Sequence, residues 1–446
     1  MSLNNYWLRS GFLTLLEKGS GLVFAFGAAM LLLRGLSKED FAAWGIFLLV
    51  TYFLEMGRSG LIQNGLLRNL AVHRDEGQVY ANIQTAALAL NLFFSLVSNI
   101  VLWLGMGWLM RTYQAPQLGV VFPVYLLTNV VMAFFYQFNF VQQANFEFRG
   151  IFWSTFFWRG SLFVWVLWCK ISETPIELPD LAKIMLAGAV LGASASWLFA
   201  RPFLSFSRGL DFQWVKNLIG YGKYVLGTNL STMFYKSIDR LTLGHLIGPA
   251  AFAIYDAAGK VTQLVEVPSF SIAAIVFPQS ADRMEQEGPD GIKRLYERSV
   301  GAILAIILPF LMGVLLFAEP IIWVFAGPKY MESADILRIT AFFGLFMPFA
   351  VQFGTILDAT GRPATNFAYT FFTAVVNLAL SYLFIWKFGL FGAAFATLSG
   401  YALSFVLMQR RLYLDFGIRW WYAFRYIPEL YRIGFQLLRK KFTARP

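Results

Sequence analysis

Apolar segments long enough to cross a lipid bilayer recur along almost the whole chain. A membrane-spanning helix needs about 20 consecutive, mostly apolar residues, and inside lipid its backbone polar groups must bond to one another. Charged residues make up only 14% of the 446 residues, whereas a soluble domain carries about 25%. The sequence therefore predicts an all-α polytopic membrane protein.

The apolar pattern predicts about twelve transmembrane helices. Lys and Arg are more frequent on the loops that lie inside when the chain starts inside, which predicts that both termini are cytoplasmic. The longest predicted loop runs near residues 279–298. The predicted spans lie near residues 10–33, 41–66, 80–108, 118–143, 150–169, 181–204, 217–243, 250–278, 299–318, 334–357, 364–386 and 390–409.

A short internal repeat predicts two lobes. The segment 36–44 aligns with the segment 247–255, because each opens a predicted span and ends in Phe-Ala, any residue and an aromatic residue. Each half has an even number of spans, so the repeats are parallel. We expect two pseudo-symmetric six-helix lobes, residues 1–209 and 210–411, around a central cavity with substrate at their interface.

Residues 412–446 form a predicted cytoplasmic tail that combines basic and aromatic side chains. The net charge of +11 raises the question of a nucleic-acid partner, but a large share of the excess lies in this tail. Basic and aromatic residues directly after a span are typical of a segment at the membrane interface near anionic lipid. We therefore predict an amphipathic interfacial segment that contacts membrane lipids, and no nucleic-acid partner.

Charged residues lie inside several predicted spans, where an ionised side chain is costly and is by default a candidate functional residue. The alternative is a set of structural ion pairs, such as Glu55 with Arg58 at a spacing of three residues. Each buried pair is costly to desolvate, so we favour a cavity lined by charge. The candidates are the basic Lys18, Arg58, Lys236, Arg240 and Lys260 and the acidic Glu17, Glu55, Asp239 and Asp256.

Most of these charges lie in the segment 221–267. Its two apolar stretches are predicted to meet at a tight turn formed by Gly248 and Pro249. Spacings of three and four residues place the charges of each stretch on a shared helix face.

No catalytic constellation is recognisable in the sequence. The chain lacks the motifs of serine nucleophiles, zinc proteases and phosphate-binding loops. One cysteine, Cys169, and two histidines, His73 and His245, predict no metal-ligand cluster. We therefore predict a transporter that is not an enzyme and has no cofactor, and the intramembrane cations favour a phosphate-bearing anion as its substrate.

Several motifs occur in a fixed order along the chain. They are Glu17-Lys18, Leu36-Ser37-Lys38-Glu39-Asp40-Phe41, Glu55-Met56-Gly57-Arg58, Ser237-Ile238-Asp239-Arg240, Ala359-Thr360-Gly361-Arg362 and Asn377-Leu378. Over nearly the whole length they resemble the Wzx-type oligosaccharide flippases of the multidrug/oligosaccharidyl-lipid/polysaccharide exporter superfamily.

The resemblance implies alternating access in a bacterial inner (plasma) membrane. It implies that polyprenyl-pyrophosphate-linked oligosaccharides move from the cytoplasmic to the outer leaflet for O-antigen, capsule or exopolysaccharide synthesis, with polymerase or assembly machinery as partner. By this analogy the five basic candidates contact the pyrophosphate or sugar. The four acidic candidates set the electrostatics of the cavity or couple transport to Na⁺ or H⁺.

Other interpretations stay open. A cation-coupled drug or metabolite exporter of the same superfamily requires an acidic site, whereas cations slightly outnumber acids within the predicted spans. A peptidoglycan-precursor flippase usually has further spans. A membrane glycan polymerase or glycosyltransferase requires a sizeable loop outside the membrane.

Overall fold

The computed structural model of the chain describes residues 3–432 and 436, which form helices joined by short connections, with no strand among them. The side chains of residues 3–15, 18, 221, 224, 274, 278, 281 and 363 also lie outside the description. The α-helices are α1 (Leu3–Gly35), α2 (Lys38–Val72), α3 (Gly77–Thr112), α4 (Leu118–Ala144), α5 (Phe148–Ile171), α6 (Leu178–Ala200), α7 (Phe212–Leu246), α8 (Pro249–Thr262), α9 (Glu266–Phe325), α10 (Ser333–Ala341), α11 (Met347–Ala359) and α12 (Pro363–Phe416). Single 3₁₀ turns occupy Arg201–Phe203, Gln263–Val265, Pro328–Tyr330, Phe342–Leu345 and Trp420–Arg425.

Each predicted span lies on helical structure, and eight helices of the described part are long and apolar enough to cross a membrane. The prediction of an all-α polytopic membrane protein is therefore confirmed. Two pairs of predicted spans are joined through kinks within one helix. Gly288 interrupts α9 with φ 62° and ψ −150°, and Gly389 interrupts α12 with φ 60° and ψ −135°. These dihedrals are open to glycine and strained for other residues.

The loop predicted near residues 279–298 is wrong, because α9 runs through this region and leaves the helical conformation there only at Gly288. The segment is polar, but its charges pair along the helix. Glu287 forms ion pairs with Arg283, at 3.9 Å, and with Arg294. The charged stretch is therefore helical on both sides of the kink at Gly288 instead of forming a long loop.

Local sequence signals explain two of the helix starts. Ser37 caps α2, because its Oγ accepts a hydrogen bond from the Asp40 backbone N–H at 3.0 Å. The predicted tight turn between α7 and α8 is present, with Gly248 at φ 121° and Pro249 as the first residue of α8. Proline is favoured at the first helical position, because the N–H of that residue would have no acceptor within the helix and its absence therefore costs no hydrogen bond.

The chain divides into two compact units. The first comprises Met1–Met233 and Gly248–Ala253, and the second comprises Phe234–Ile247 and Ile254–Pro446. In the first unit, Gly188 and Gly192 of α6 let this helix approach α5 closely: a Cβ on Gly192 would lie 2.9 Å from the Ser154 carbonyl oxygen. Small residues four apart are a common means of packing membrane helices.

The described part of the predicted tail packs onto α9 in the second unit. Ile418, Ala423 and Ile427 are buried in the same apolar cluster as Tyr296 and Val300. The neighbouring Trp420, Trp421 and Phe424 are exposed. The segment is therefore amphipathic, as predicted, and one of its faces completes the core of the unit. Residues 433–435 and 437–446 of the predicted tail lie outside the described residues.

The contact between α9 and this segment predicts that Gly301→Leu destabilises the second unit. A Cβ at Gly301 would lie 2.9 Å from the Cβ of Tyr426 and 2.5 Å from the Ala423 carbonyl oxygen. Overpacking of this kind costs about 1–3 kcal/mol, so the melting temperature of the purified protein in detergent should fall. Gly313→Leu on the same helix is the control, because nothing lies within 4 Å of its Cβ position. Equal melting temperatures for the two variants would contradict the packing described here.

Candidate functional site

Arg58 of the first unit is enclosed by helices instead of being exposed to solvent. Its side chain is 1% exposed. The Nη2 group donates to Ser95 Oγ of α3 at 2.7 Å and to Asn129 Oδ1 of α4 at 2.6 Å. The guanidinium also lies over the rings of Phe94 and Tyr136, at 5.7 and 5.6 Å from their centroids. Arg58 therefore joins α2 to α3 and α4.

Neutral polar groups surround Arg58. Ser95 Oγ donates to the Asn129 carbonyl at 2.9 Å, and Asn129 Nδ2 donates to Ser98 Oγ and Asn99 Oδ1, both at 2.8 Å. The Glu55–Arg58 ion pair, which was the alternative interpretation of the sequence, is not among the contacts of the described residues. Glu55 Oε2 instead accepts from the Tyr136 hydroxyl at 3.1 Å. Hydrogen bonds to serine and asparagine thus hold Nη2 of Arg58, while Nε and Nη1 are buried without a hydrogen-bond partner among the described residues.

Two ion pairs in the second unit join different helices, and a third lies within α8. Arg240 Nη1 of α7 lies 2.6 Å from Asp256 Oδ1 of α8, and Lys260 Nζ lies 3.6 Å from the other oxygen of Asp256. Lys236 Nζ lies 2.7 Å from Glu266 Oε2 at the start of α9. We call Lys236, Arg240, Lys260, Asp256 and Glu266 the cationic cluster, because three cations share two carboxylates.

The cations of this cluster are accessible, whereas its central carboxylate is not. The side chains of Lys236 and Lys260 are 28% and 25% exposed, and that of Asp256 is 2% exposed. Arg240 is fixed further, because its Nη2 donates to the Lys236 carbonyl at 3.2 Å. The cluster thus presents positive charge from a rigid, buried anchor and can bind an anion.

Asp239 lies apart from the cationic cluster although it directly precedes Arg240. Its carboxylate is buried and accepts hydrogen bonds from Ser381 and Thr397, both on α12. Thr397 Oγ1 also lies 2.8 Å from the hydroxyl of Tyr255 on α8. Within the described part of the chain Asp239 has no ion pair. A carboxylate surrounded by hydroxyl groups can bind a proton or a small cation that prefers oxygen ligands.

The remaining predicted residues lie on α1. Glu17 is partly buried, and its carbonyl accepts from Ser20 Oγ at 3.1 Å. The side chain of Lys18 lies outside the described residues.

Sequence reasoning did not include Glu266, Ser381 or Thr397 among the site residues. Glu266 was recognisable as another acid inside an apolar stretch. The two hydroxyl residues gave no such signal, since serine and threonine are common in membrane helices, where they bond back to their own backbone.

The hydrogen bonds of Arg58 predict that Arg58→Ala destabilises the first unit. Hydrogen bonds to a charged group contribute about 1.5–3 kcal/mol, and without Arg58 the buried polar atoms of Ser95 and Asn129 would lose a hydrogen-bond partner. We expect a lower melting temperature in detergent, with only partial recovery in Arg58→Lys because lysine lacks the planar fork of donors. Arg74→Ala is the control, since Arg74 is exposed at the end of α2. An unchanged melting temperature in Arg58→Ala would show that the buried contacts contribute nothing to stability.

The sequence matches a known family over much of its length. A family model described as "Polysaccharide biosynthesis protein" matches residues 31–335. A Haloferax volcanii protein named "Probable low-salt glycan biosynthesis flippase Agl15" is 25% identical over 266 residues, which is 60% of this chain and 54% of the relative. The chain thus spans about half the length of the curated relatives that it matches.

Solved structures show the same fold at low sequence identity. An inward-facing multidrug resistance MATE family transporter of the MOP superfamily has a TM-score of 0.76 and 16% identity, covering 88% of this chain and 94% of the transporter. The lipid II flippase MurJ in an inward closed conformation has a TM-score of 0.75 and 11% identity, covering 91% of this chain and 87% of MurJ. Together with the family match, these structures confirm the resemblance inferred from the sequence motifs.

Proposed function

Because the chain belongs to the polysaccharide biosynthesis protein family, we propose that it flips lipid-linked oligosaccharides across the membrane. The substrate is a polyprenyl-pyrophosphate-linked unit, which moves from the cytoplasmic to the outer leaflet by alternating access. The product serves the synthesis of a surface polysaccharide. The relative from Haloferax volcanii, named as a glycan biosynthesis flippase, supports this class of substrate.

The cationic cluster is the observation that carries the proposal. A pyrophosphate group must lose part of its hydration to enter a protein, and fixed cations compensate for that loss. Asp256 is shared by two cations, and its distance to Lys260, 3.6 Å, exceeds its distance of 2.6 Å to Arg240. Lys260 is therefore the cation that gains most from a bound anion, while Arg240 keeps the cluster in place.

Asp239 supports cation coupling. Its carboxylate is separate from the cationic cluster and is held by hydroxyl groups of α12. A proton or Na⁺ bound there would neutralise a buried charge and change the contacts between α7 and α12. We propose Asp239 as the coupling residue, with no other cofactor. The site fits a cation better than it fits an anionic substrate.

The remaining features belong to the same proposal. The protein is a transporter and not an enzyme, its lobes are residues 1–209 and 210–411 with a tail of 412–446, and both termini are cytoplasmic at a bacterial inner membrane. A polymerase or other assembly machinery receives the flipped units.

Among the predicted substrate contacts, Lys18 and Arg58 belong to the first lobe. The observed hydrogen bonds of Arg58 give it a structural role in addition.

A deletion of the gene in its host tests the function. We expect loss of the surface polymer and accumulation of lipid-linked repeat units on the inner leaflet. Intact glycans with raised sensitivity to cationic drugs would instead indicate a drug exporter. Accumulation of units on the outer leaflet would indicate a polymerase.

Lys260→Gln tests the cationic cluster in the complemented deletion strain. Loss of one charge-assisted contact should reduce polymer synthesis about ten-fold at equal protein level, and Lys260→Arg should restore most of it. Lys387→Gln is the control, because Lys387 is an exposed cation of the same unit outside the cluster. Normal polymer in Lys260→Gln would exclude the cluster as the substrate site.

Asp239→Asn tests the coupling. The amide keeps the size of the side chain and removes its charge, so flipping in proteoliposomes should no longer respond to an imposed Na⁺ or pH gradient. Asp290→Asn, an exposed acid of the same unit, should leave the response unchanged. A full response in Asp239→Asn would assign the coupling to another residue.

A further inference from the structure

A polar cavity of about 590 Å³ lies in the first unit between the end of α2 and the beginning of α7. Its volume falls within the range of about 300–1,000 Å³ that is usual for small-molecule sites. None of its lining residues belongs to the cationic cluster or to the predicted substrate contacts. The lining comprises Arg68, Asn69, Val72 and His73 of α2 with its cap, and Gln213, Lys216, Asn217 and Gly220 of α7.

Close helix packing next to the cavity makes its walls rigid. Gly65 of α2 packs on Leu218 of α7, and a Cβ on Gly60 would lie 2.9 Å from the Cα of Leu226. At the end of α2 the His73 ring meets the Trp214 ring edge to face, with centroids 5.3 Å apart. The two helices therefore hold the lining residues in fixed relative positions.

The charges of the lining favour an anion. Arg68 and Lys216 are exposed cations, and the lining contains no carboxylate. Lys216 forms no ion pair within the described part of the chain. His73 adds a ring whose Nδ1 lies 2.9 Å from a carboxylate oxygen of Glu76, so this ring nitrogen already has a partner. The amides of Gln213 and Asn217 supply further hydrogen-bond donors beside the cations.

The surroundings of the cavity favour an anion that carries a lipid chain. Val72 lines the cavity and is 68% exposed, and the nearby Phe212 and Ile219 of α7 are 74% and 40% exposed. A free phosphate gains nothing from these apolar side chains, whereas an acyl or prenyl chain does. A diphosphate also carries more negative charge than the phosphodiester of a phospholipid, which suits a lining that includes two cationic side chains.

We propose that this cavity binds the diphosphate of a lipid-linked substrate at the inner face, before the substrate reaches the cationic cluster. The inference rests on the proposed function and on the cytoplasmic side predicted for this end of α2. Arg68 and Lys216 bind the diphosphate, the amides orient it, and Val72, Phe212 and Ile219 contact the first part of the prenyl chain.

A fluorescent label at the cavity gives a local readout. Cys169 is the single cysteine and is buried, so Asp75→Cys, at an exposed position two residues after His73 that does not line the cavity, introduces one accessible thiol. The labelled full-length protein is placed in phosphatidylcholine nanodiscs and titrated with farnesyl diphosphate. We expect a saturable fluorescence change, and an affinity about ten-fold weaker or less when Arg68→Gln and Lys216→Gln are combined in the labelled protein.

The control removes the same charge elsewhere in the first unit. Arg74→Gln and Arg208→Gln change exposed cations that do not line the cavity, and together they should leave the affinity within about two-fold. Equal affinity for the cavity variant and the wild type would overturn the proposal. So would an equal response to phosphatidylglycerol in the nanodiscs, which would identify a phospholipid site, or equally tight binding of inorganic pyrophosphate, which would exclude a role for the lipid chain.

The deletion strain separates this inference from the function on which it rests. If the strain accumulates inner-leaflet units but the cavity variant binds farnesyl diphosphate normally, the cavity assignment fails and the flippase proposal stands. If the strain makes intact polymer, the flippase proposal fails whatever the cavity binds.

Discussion

Asp256 forms ion pairs with both Arg240 and Lys260 while its own side chain is almost completely buried. The arrangement of charges in the second unit depends on this shared carboxylate. An unpaired carboxylate at this position would be costly to desolvate. Arg240 and Lys260 would be costly to desolvate in the same way if Asp256 were absent. Sharing one acid between two bases leaves the cluster with an excess of positive charge. The same interaction therefore stabilises the contact of α7 with α8 and leaves capacity to bind an anion.

The first unit accommodates its buried cation in a different way. Arg58 is hydrogen-bonded to serine and asparagine, and within the described part of the chain it forms no ion pair. Each donor–acceptor contact has to be geometrically good, because an unpaired polar group in this environment is expensive. Such a network fixes α2, α3 and α4 relative to one another, whereas the cationic cluster includes one longer contact, 3.6 Å between Lys260 and Asp256, that a ligand can replace.

The sequence was sufficient to predict the class of fold, because bilayer thickness imposes a length on each apolar segment and backbone bonding imposes helices. The Ser37 cap and the Gly248-Pro249 turn were also readable, since both act over a few residues. Charged candidates such as Arg240 and Asp256 were recognisable because a charge inside a membrane span is costly to desolvate. Their ion pair was not recognisable, because it joins two helices whose relative rotation depends on packing.

The same limit applies to Arg58 and Asp239. Spacing suggested Glu55 as the partner of Arg58, but the orientation of α2 against α3 and α4 directs the guanidinium to Ser95 and Asn129. Asp239 shares a helix with Lys236 yet bonds to α12. The error at residues 279–298 has another cause. Polar composition indicated a loop, whereas the segment is helical and leaves the helical conformation only at Gly288 within this region.

The packing of residues 418–427 onto α9 has a consequence for biosynthesis. These residues leave the ribosome after α12, so the core around Tyr296 and Val300 stays incomplete until every predicted span has been translated. Until residues 418–427 have been added, the second unit therefore exposes apolar side chains of this cluster that are buried in the finished structure.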